Sequence, residues 1–413
     1  MRILWVKTEL LHPVDKGGRI RTYQMLKRLR ALHEITYLTL DDGRSGSDAV
    51  ERAEEYCHDL VRIPHESPET FSGRFYLDLL RNAPSRLPYA VWKYRSAALR
   101  EAIERIVRRD AIDLVVCDFL APSCNVPHDL DVPILLFEHN VEAMIWRRHH
   151  EVARNPMKRA FLRREWRRMQ AFECRECRRY DRVVAVSEAD RRLLADHCGA
   201  DHIEVVPTGV DTMYFRPGGD VERAPGRIVF TGSMDWLPNV DAVRYFTGEI
   251  LPRIRAAVPA VSFDVVGRRP TPEIRRIGER DEAVTVTGFV DDIRPYLERA
   301  AVAVVPLKIG GGTRLKIYEA MAMETPVVST SVGAEGLPLR DGDDLLIADR
   351  PNEFARAVIR LLEDEAYART LGERAALRVR REFGWDVVTR DFARICERTA
   401  GDEARVEVVS DAY

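Results

Sequence analysis

Short, nearly continuous apolar runs recur along this chain, with amphipathic helical stretches between them. Runs at 3–6, 35–40, 114–117, 134–137 and 183–186 are too uniformly apolar for strands with one wet face. Stretches at 19–32, 97–109 and 188–197 lie between them and place apolar residues at helical spacing. Strands buried on both faces and separated by helices pair in parallel, because the crossover helices cover both sides of the sheet. A second series begins near residue 227, with runs at 228–230, 263–266, 284–286, 301–305, 327–329 and 345–347 and helical stretches such as 240–258 and 352–362. Between the two series stand Pro207-Thr208-Gly209-Val210-Asp211 and Arg216-Pro217-Gly218-Gly219-Asp220, the densest turn chemistry in the chain. The pattern predicts an α/β chain of two doubly wound, Rossmann-like parallel-sheet domains joined at about 210–225. Ligands of such sheets bind outside the carboxyl ends of the strands, and the crevice between two such domains is the expected site.

Composition narrows the function classes. The 413 residues are enough for two or three domains. Apolar residues at 46% and charged residues at 31% exclude a mostly disordered chain. A formal charge of −2 gives no overall attraction to nucleic acid. The longest apolar runs, such as 300–307, are far shorter than the ~18–20 residues a spanning helix needs. The opening residues 1–7 lack the apolar core of a signal peptide and read as a first strand. Seven scattered cysteines predict free thiols and a cytoplasmic setting. Cys174 and Cys177, the one C-x-x-C pair, lack a second pair to complete a zinc site.

The most informative segment is Gly310-Gly311-Gly312-Thr313-Arg314-Leu315-Lys316, between a buried strand and a helix. Glycines let a polyanion approach the backbone, and the first helical N–H groups point at it. Thr313 is the expected N-cap. Arg314 and Lys316 put two cations in the first turn, unfavourable by roughly 0.3–1 kcal/mol each unless an anion offsets them. No Gly directly precedes Lys316 and no Ser or Thr follows it, so this is not a Walker loop. Glu319, one turn on, either pairs with Lys316 on an exposed face or accepts hydrogen bonds from a sugar hydroxyl pair. Gly17 and Gly18 offer backbone N–H groups at the first helix in the same way. His139 stands at the carboxyl end of the fourth apolar run, where it is either structural or catalytic. Residues 147–182 hold thirteen Lys/Arg against five Asp/Glu with interleaved aromatics. That stretch is either a helix lying on an anionic membrane or a solvated helix whose basic stems cover its apolar face.

With these residues in view, the chain resembles the GT-B glycosyltransferases, specifically retaining family four, the group-one glycosyl transferases. The likeness runs through Gly17-Gly18, Val206-Pro207-Thr208-Gly209-Val210-Asp211, Phe230-Thr231-Gly232-Ser233, Val265-Val266-Gly267 and Gly288-Phe289-Val290. It continues through Glu319-Ala320-Met321-Ala322, Thr325-Pro326-Val327-Val328 and Phe383-Gly384-Trp385. Glu138-His139-Asn140-Val141-Glu142 and the triple-glycine run are similar to sugar transferases of bacterial exopolysaccharide, exosortase-type systems. The resemblance implies an acceptor domain over 1–212, a donor domain over 213–384, a helix at 385–400 crossing back to the first domain, and a tail at 401–413.

The resemblance also implies roles. Glu319 matches the family's second glutamate, used on the nucleotide ribose, whereas the first falls at Gly311. The family's diphosphate-gripping Arg and Lys are missing from 232–239, and Arg314 and Lys316 are the expected substitutes. His139 matches a histidine beside the reacting sugar. Gly17, Gly18, Gly232, Phe289, Gly311, Gly312, Thr313, Leu315 and Glu319 fall at donor-binding positions. The implied reaction is metal-independent transfer of a sugar, with retained configuration, from a nucleotide diphosphate to the hydroxyl of an acceptor glycan. The resemblance suggests an acceptor held on a lipid at the inner membrane face, with 147–182 as a peripheral contact. A GT-B nucleotide-sugar epimerase and a non-catalytic sugar- or partner-binding protein are the alternatives; no cofactor, metal or nucleic acid is expected.

Overall fold

Two sheets organise the chain, and every strand pair in both is parallel. The structure, a computed structural model, describes residues 1–44, 46–69, 71–219, 221, 223–309 and 314–401. The first sheet has the order β3-β2-β1-β4-β5-β6-β7. Its strands are β1 (Arg2–Lys7), β2 (Glu34–Asp41), β3 (Asp59–Pro64), β4 (Leu114–Asp118), β5 (Ile134–Phe137), β6 (Arg182–Ala185) and β7 (Ile203–Val205). The second has the order β10-β9-β8-β11-β12-β13. It is built from β8 (Arg227–Thr231), β9 (Ser262–Val266), β10 (Val284–Gly288), β11 (Val302–Val305), β12 (Val327–Ser329) and β13 (Leu346–Ile347). In each sheet the strand order reverses beside the first strand, so the switch points lie between β1 and β4 and between β8 and β11. The chain divides into two compact units, Met1–Pro207 with Val388–Tyr413, and Thr208–Val387.

The central strands are apolar throughout because both of their faces are covered. Leu4, Val6, Val115, Leu136 and Val183 join one buried cluster of the first unit. Trp5 and Phe137 point the other way, onto Phe392 of the helix Trp385–Thr399, with ring centroids 5.7 and 4.9 Å away. In the second unit Ile228, Phe230, Phe263, Val304 and Val328 belong to a single core.

Several expectations are corrected. The edge strand β3 carries exposed polar residues and β7 a partly buried Glu204, so their mixed patterns hide them from a search for apolar runs. The predicted helix at 240–258 is three pieces: Leu237–Tyr245, a π turn over Phe246–Ile250, and Leu251–Ala257, with Pro252 in the last one's first turn. The basic stretch 147–182 is not one helix. It breaks between Glu142–Val152 and Pro156–Cys177, where the Asn155 side chain caps the second helix by accepting from the Lys158 N–H at 3.0 Å. Cys174 and Cys198 form a disulfide, their Cα atoms 4.5 Å apart, whereas the sequence predicted seven free thiols. Their pairing depends on two helices meeting beside β6, which sequence spacing does not reveal. The cytoplasmic reading drawn from the cysteines loses that support. Among the described residues no helix is long and apolar enough to cross a membrane.

Candidate functional site

Each unit places buried or half-buried charged residues at the switch point of its own sheet. In the first unit, Lys7 ends β1 and Asp118 ends β4, both charges closing otherwise apolar strands and both buried. One carboxylate oxygen of Asp118 takes three donors: Lys7 Nζ at 2.8 Å, Thr22 Oγ1 at 2.7 Å and Trp5 Nε1 at 3.0 Å. The other lies 2.7 Å from His139 Nε2. Burial alone would raise the Asp118 carboxyl; the Lys7 ammonium and His139 outweigh it and hold it below the usual carboxylate range. Burial lowers His139 to about 4 against the opposing pull of Asp118, so the imidazole is neutral at pH 7.

Phe119, with φ of 74°, stacks on His139 at 3.8 Å between ring centroids, and Lys7 Nζ lies 4.2 Å from the Phe119 ring centroid. A Cβ on Gly18 would stand 2.7 Å from Phe119 Cζ. Glycine at 18 therefore gives room to an aromatic ring as well as opening a helix. Gly17 is the first residue of that helix, which runs to Leu29 with Lys16 at its N-cap. His139 itself is 2% exposed, enclosed by Phe119, by Phe137 at 4.4 Å between ring centroids, and by Asp118. Glu138 beside it is also buried, and burial together with Glu173 pushes its carboxyl well above the ordinary range.

In the second unit β8 ends at Thr231, and Gly232 follows with φ of 155°. A side chain there would strike Asn239 Nδ2 at 2.7 Å and Lys316 Nζ at 2.8 Å. Asn239 joins the two segments: Nδ2 donates to the Ser233 carbonyl at 2.9 Å, and Oδ1 accepts from Lys316 Nζ at 2.8 Å. The ammonium also sits 4.1 Å from the Phe230 ring centroid. Burial lowers Lys316 to about 7, with Glu319 opposing and Arg314 assisting. Burial raises Glu319 to about 7, with Lys316 opposing. Of the two readings of Glu319, the exposed-face pair does not hold as stated: Lys316 and Glu319 are half-buried and electrostatically linked.

The helix after β11 begins at Leu315, and its N-cap is Arg314 in the left-handed conformation rather than Thr313. The Arg314 side chain reaches the 332–335 segment, donating to the Val332 carbonyl at 3.2 Å and to Glu335 at 2.9 Å. Phe289 follows β10, is 72% exposed, and lines a concavity of about 550 Å³ with Arg269, Pro270, Arg275 and Thr287. Gly311, Gly312 and Thr313, on which the phosphate-cradle expectation rests, lie outside the described residues.

Two family profiles match the chain in succession. Residues 16–214 match the one described as Glycosyltransferase Family 4, and residues 225–364 match the one described as Glycosyl transferases group 1. The chain belongs to glycosyltransferase family four, group one. A phosphatidyl-myo-inositol mannosyltransferase of Mycobacterium tuberculosis is 29% identical to this family member over 55% of the chain and 62% of its own length. A D-inositol 3-phosphate glycosyltransferase of Acidothermus cellulolyticus is 31% identical over 50% of each chain. The matched segment thus spans less than two thirds of these curated relatives. Sucrose-phosphate synthase from Thermosynechococcus elongatus superposes with a TM-score of 0.72 at 19% identity, over 97% of this chain and 100% of its own. HepE from Anabaena, in complex with UDP and glucose, gives 0.64 at 13% identity, over 96% and 99%. At such identities the likeness shows the fold, the GT-B class of two parallel-sheet domains.

The sequence reading of this family-four chain missed Lys7, Asp118, Phe119 and Asn239. Lys7 and Asp118 had left a signal, a charge closing an apolar strand in an α/β pattern. Phe119 and Asn239 had left none, because their roles arise from which side chains meet across the sheet.

Proposed function

We propose that this chain is a retaining glycosyltransferase that moves a sugar from a nucleotide-diphosphate donor to an acceptor hydroxyl in exopolysaccharide or other cell-surface glycan synthesis. The observation that carries the reading is Lys316. It is a half-buried ammonium at the β8–β11 switch point whose direct partner is a carboxamide oxygen rather than a carboxylate. Burial without a contacting counter-charge disfavours the cation, and a diphosphate supplies that counter-charge. As the glycosidic bond breaks, negative charge grows on the leaving diphosphate, and one well-aimed donor lowers such a barrier by about 3–4 kcal/mol. Arg314 adds positive charge at the same helix start, its contribution reduced by its pairing with Glu335. Glu319 accepts from the ribose hydroxyls. Gly232 keeps the backbone open to the donor, Leu315 opens the neighbouring helix, and Phe289 borders the nucleotide. His139 acts beside the reacting sugar once Phe119 moves off it. With charge supplied by side chains, no divalent metal is required.

The acceptor in this reading is a glycan carried on a lipid, and residues 147–182 hold the protein at the membrane surface. The name of the mycobacterial relative, which includes a phosphatidyl lipid, supports that choice. A thermal-shift series of nucleoside diphosphates and nucleotide sugars tests the proposal. A ligand at a hundred times its Kd adds about 2.7 kcal/mol of stability, a readable rise in Tm. Lys316→Ala is expected to keep the fold and lower turnover by roughly one to three decades, and Arg314→Ala by less. No nucleotide shifting Tm, or unchanged turnover in Lys316→Ala, overturns the reading.

A further inference from the structure

One surface of the first unit has no part in the site described above. The helix Gly73–Asn82 and the residues before it leave Phe71 76%, Tyr76 54%, Leu77 46% and Leu80 71% exposed. Single exposed apolar side chains are ordinary, but four this close in sequence make a patch. The helix is anchored by other residues. Phe75 meets the Tyr89 ring at 5.4 Å, and Asn82 Nδ2 donates to the Leu87 carbonyl at 3.0 Å.

Its carboxyl end is tied to the helix Pro156–Cys177. Arg168 donates to Asn82 Oδ1 at 3.1 Å and to the Ala83 carbonyl at 2.8 Å, and Arg164 donates to the same carbonyl. Met157 and Phe161 precede Arg164 and Arg168 at helical spacing and are 83% and 43% exposed, so the apolar face continues onto this helix. On this helix and just before it Arg154, Lys158, Arg159, Arg163 and Arg167 are exposed and have no carboxylate partner among the described residues. The acids of the same helix, Glu165, Glu173 and Glu176, are buried, so the surface is more basic than the residue count of the stretch implies. An apolar patch bordered by unpaired cations complements an apolar phase bordered by anions.

We propose that this face docks on an anionic bilayer: Phe71, Leu77 and Leu80 enter the boundary between headgroups and acyl chains, while Lys158, Arg159 and Arg163 meet lipid phosphates. The inference rests on the reading of a lipid-borne acceptor, and it adds the 73–82 helix as the inserting element. The full chain is sedimented with phosphatidylcholine vesicles, with and without phosphatidylglycerol, across a salt series. Binding is expected only with the anionic lipid and is expected to weaken as salt rises. Each cation near such a surface is worth a factor of about five, so Arg159→Gln, Arg163→Gln and Arg167→Gln together should weaken binding about a hundredfold. Phe71→Ser with Leu80→Ser should weaken it at least tenfold, a loss of order ten being what burial of one such side chain implies. The Tm shift with nucleoside diphosphate, measured on the same samples, should not change in either variant. Its absence from the parent protein would defeat the transferase reading and leave the docking result to stand by itself. Failure to bind anionic vesicles at low salt, or equal binding by the apolar variant, overturns the docking proposal. So does lipid-free self-association abolished by Phe71→Ser with Leu80→Ser, which would assign the face to a second copy of the chain.

Discussion

At the scale of single residues, Lys316 and Gly18 are governed by their neighbours. Lys316 is lowered to about 7 by burial, so its cationic form is the majority only below that pH. If the cation receives the diphosphate, kcat/KM, which follows the free enzyme, should fall as pH rises above about 7. Lys316→Arg keeps the charge at every accessible pH, so its profile should stay level there even if its maximum is lower. A falling limb that persists in Lys316→Arg would assign the titration to another group. Gly18 makes a steric prediction. An added Cβ at 2.7 Å from Phe119 Cζ should destabilise the first unit by about 1–3 kcal/mol. Most of that loss should vanish in a Phe119→Ala background, a coupling that urea unfolding of the four cycle members measures.

At the scale of elements, the buried acids of the helix Pro156–Cys177 serve as caps and partners. Glu173 accepts from the backbone N–H groups of Glu142 at 2.6 Å and Ala143 at 3.3 Å, closing the start of the helix Glu142–Val152. Burial and then Glu142 raise it to about 8, although those two hydrogen bonds pull the other way. A carboxyl raised in the folded state contributes stability that is fully present below its unfolded value, near 4.5, and is lost as pH rises through about 8. The stability of the parent protein relative to Glu173→Gln should therefore fall across that window, read as the difference between their Tm values. A constant difference would mean that Glu173 stays ionised throughout. Elements also divide what was legible from what was not. Central strands such as β1, β4 and β5 stood out as unbroken apolar runs because both their faces are covered. The edge strands β3 and β7 did not, since an exposed edge admits Arg62 and Glu204.

At the scale of the molecule, the two units repeat one plan: a parallel sheet with its order reversed beside the first strand and charged residues at that reversal. Lys7 with Asp118 and Lys316 with Asn239 stand at corresponding places because carboxyl ends of neighbouring strands diverge there and leave room. The thiol count is likewise a property of the whole chain. Five cysteines are free and two are bonded to each other. Titration of denatured, unreduced protein should find five thiols, and seven after reduction; seven before reduction would mean that Cys174 and Cys198 are not joined.

The sequence by itself determined the repeated α/β pattern, the break near residue 210, and the places where glycines and cations follow strands. Each of these follows from local periodicity, burial on two faces, or residue type at a strand end. Tertiary structure alone decided that Phe119 covers His139, that Asn239 holds Lys316, that Arg314 turns to Glu335, and that Cys174 reaches Cys198. Those contacts join residues from about twenty to seventy-seven positions apart. Their partners are chosen by which strands lie side by side, and the spacing of residues along the chain carries no record of that choice.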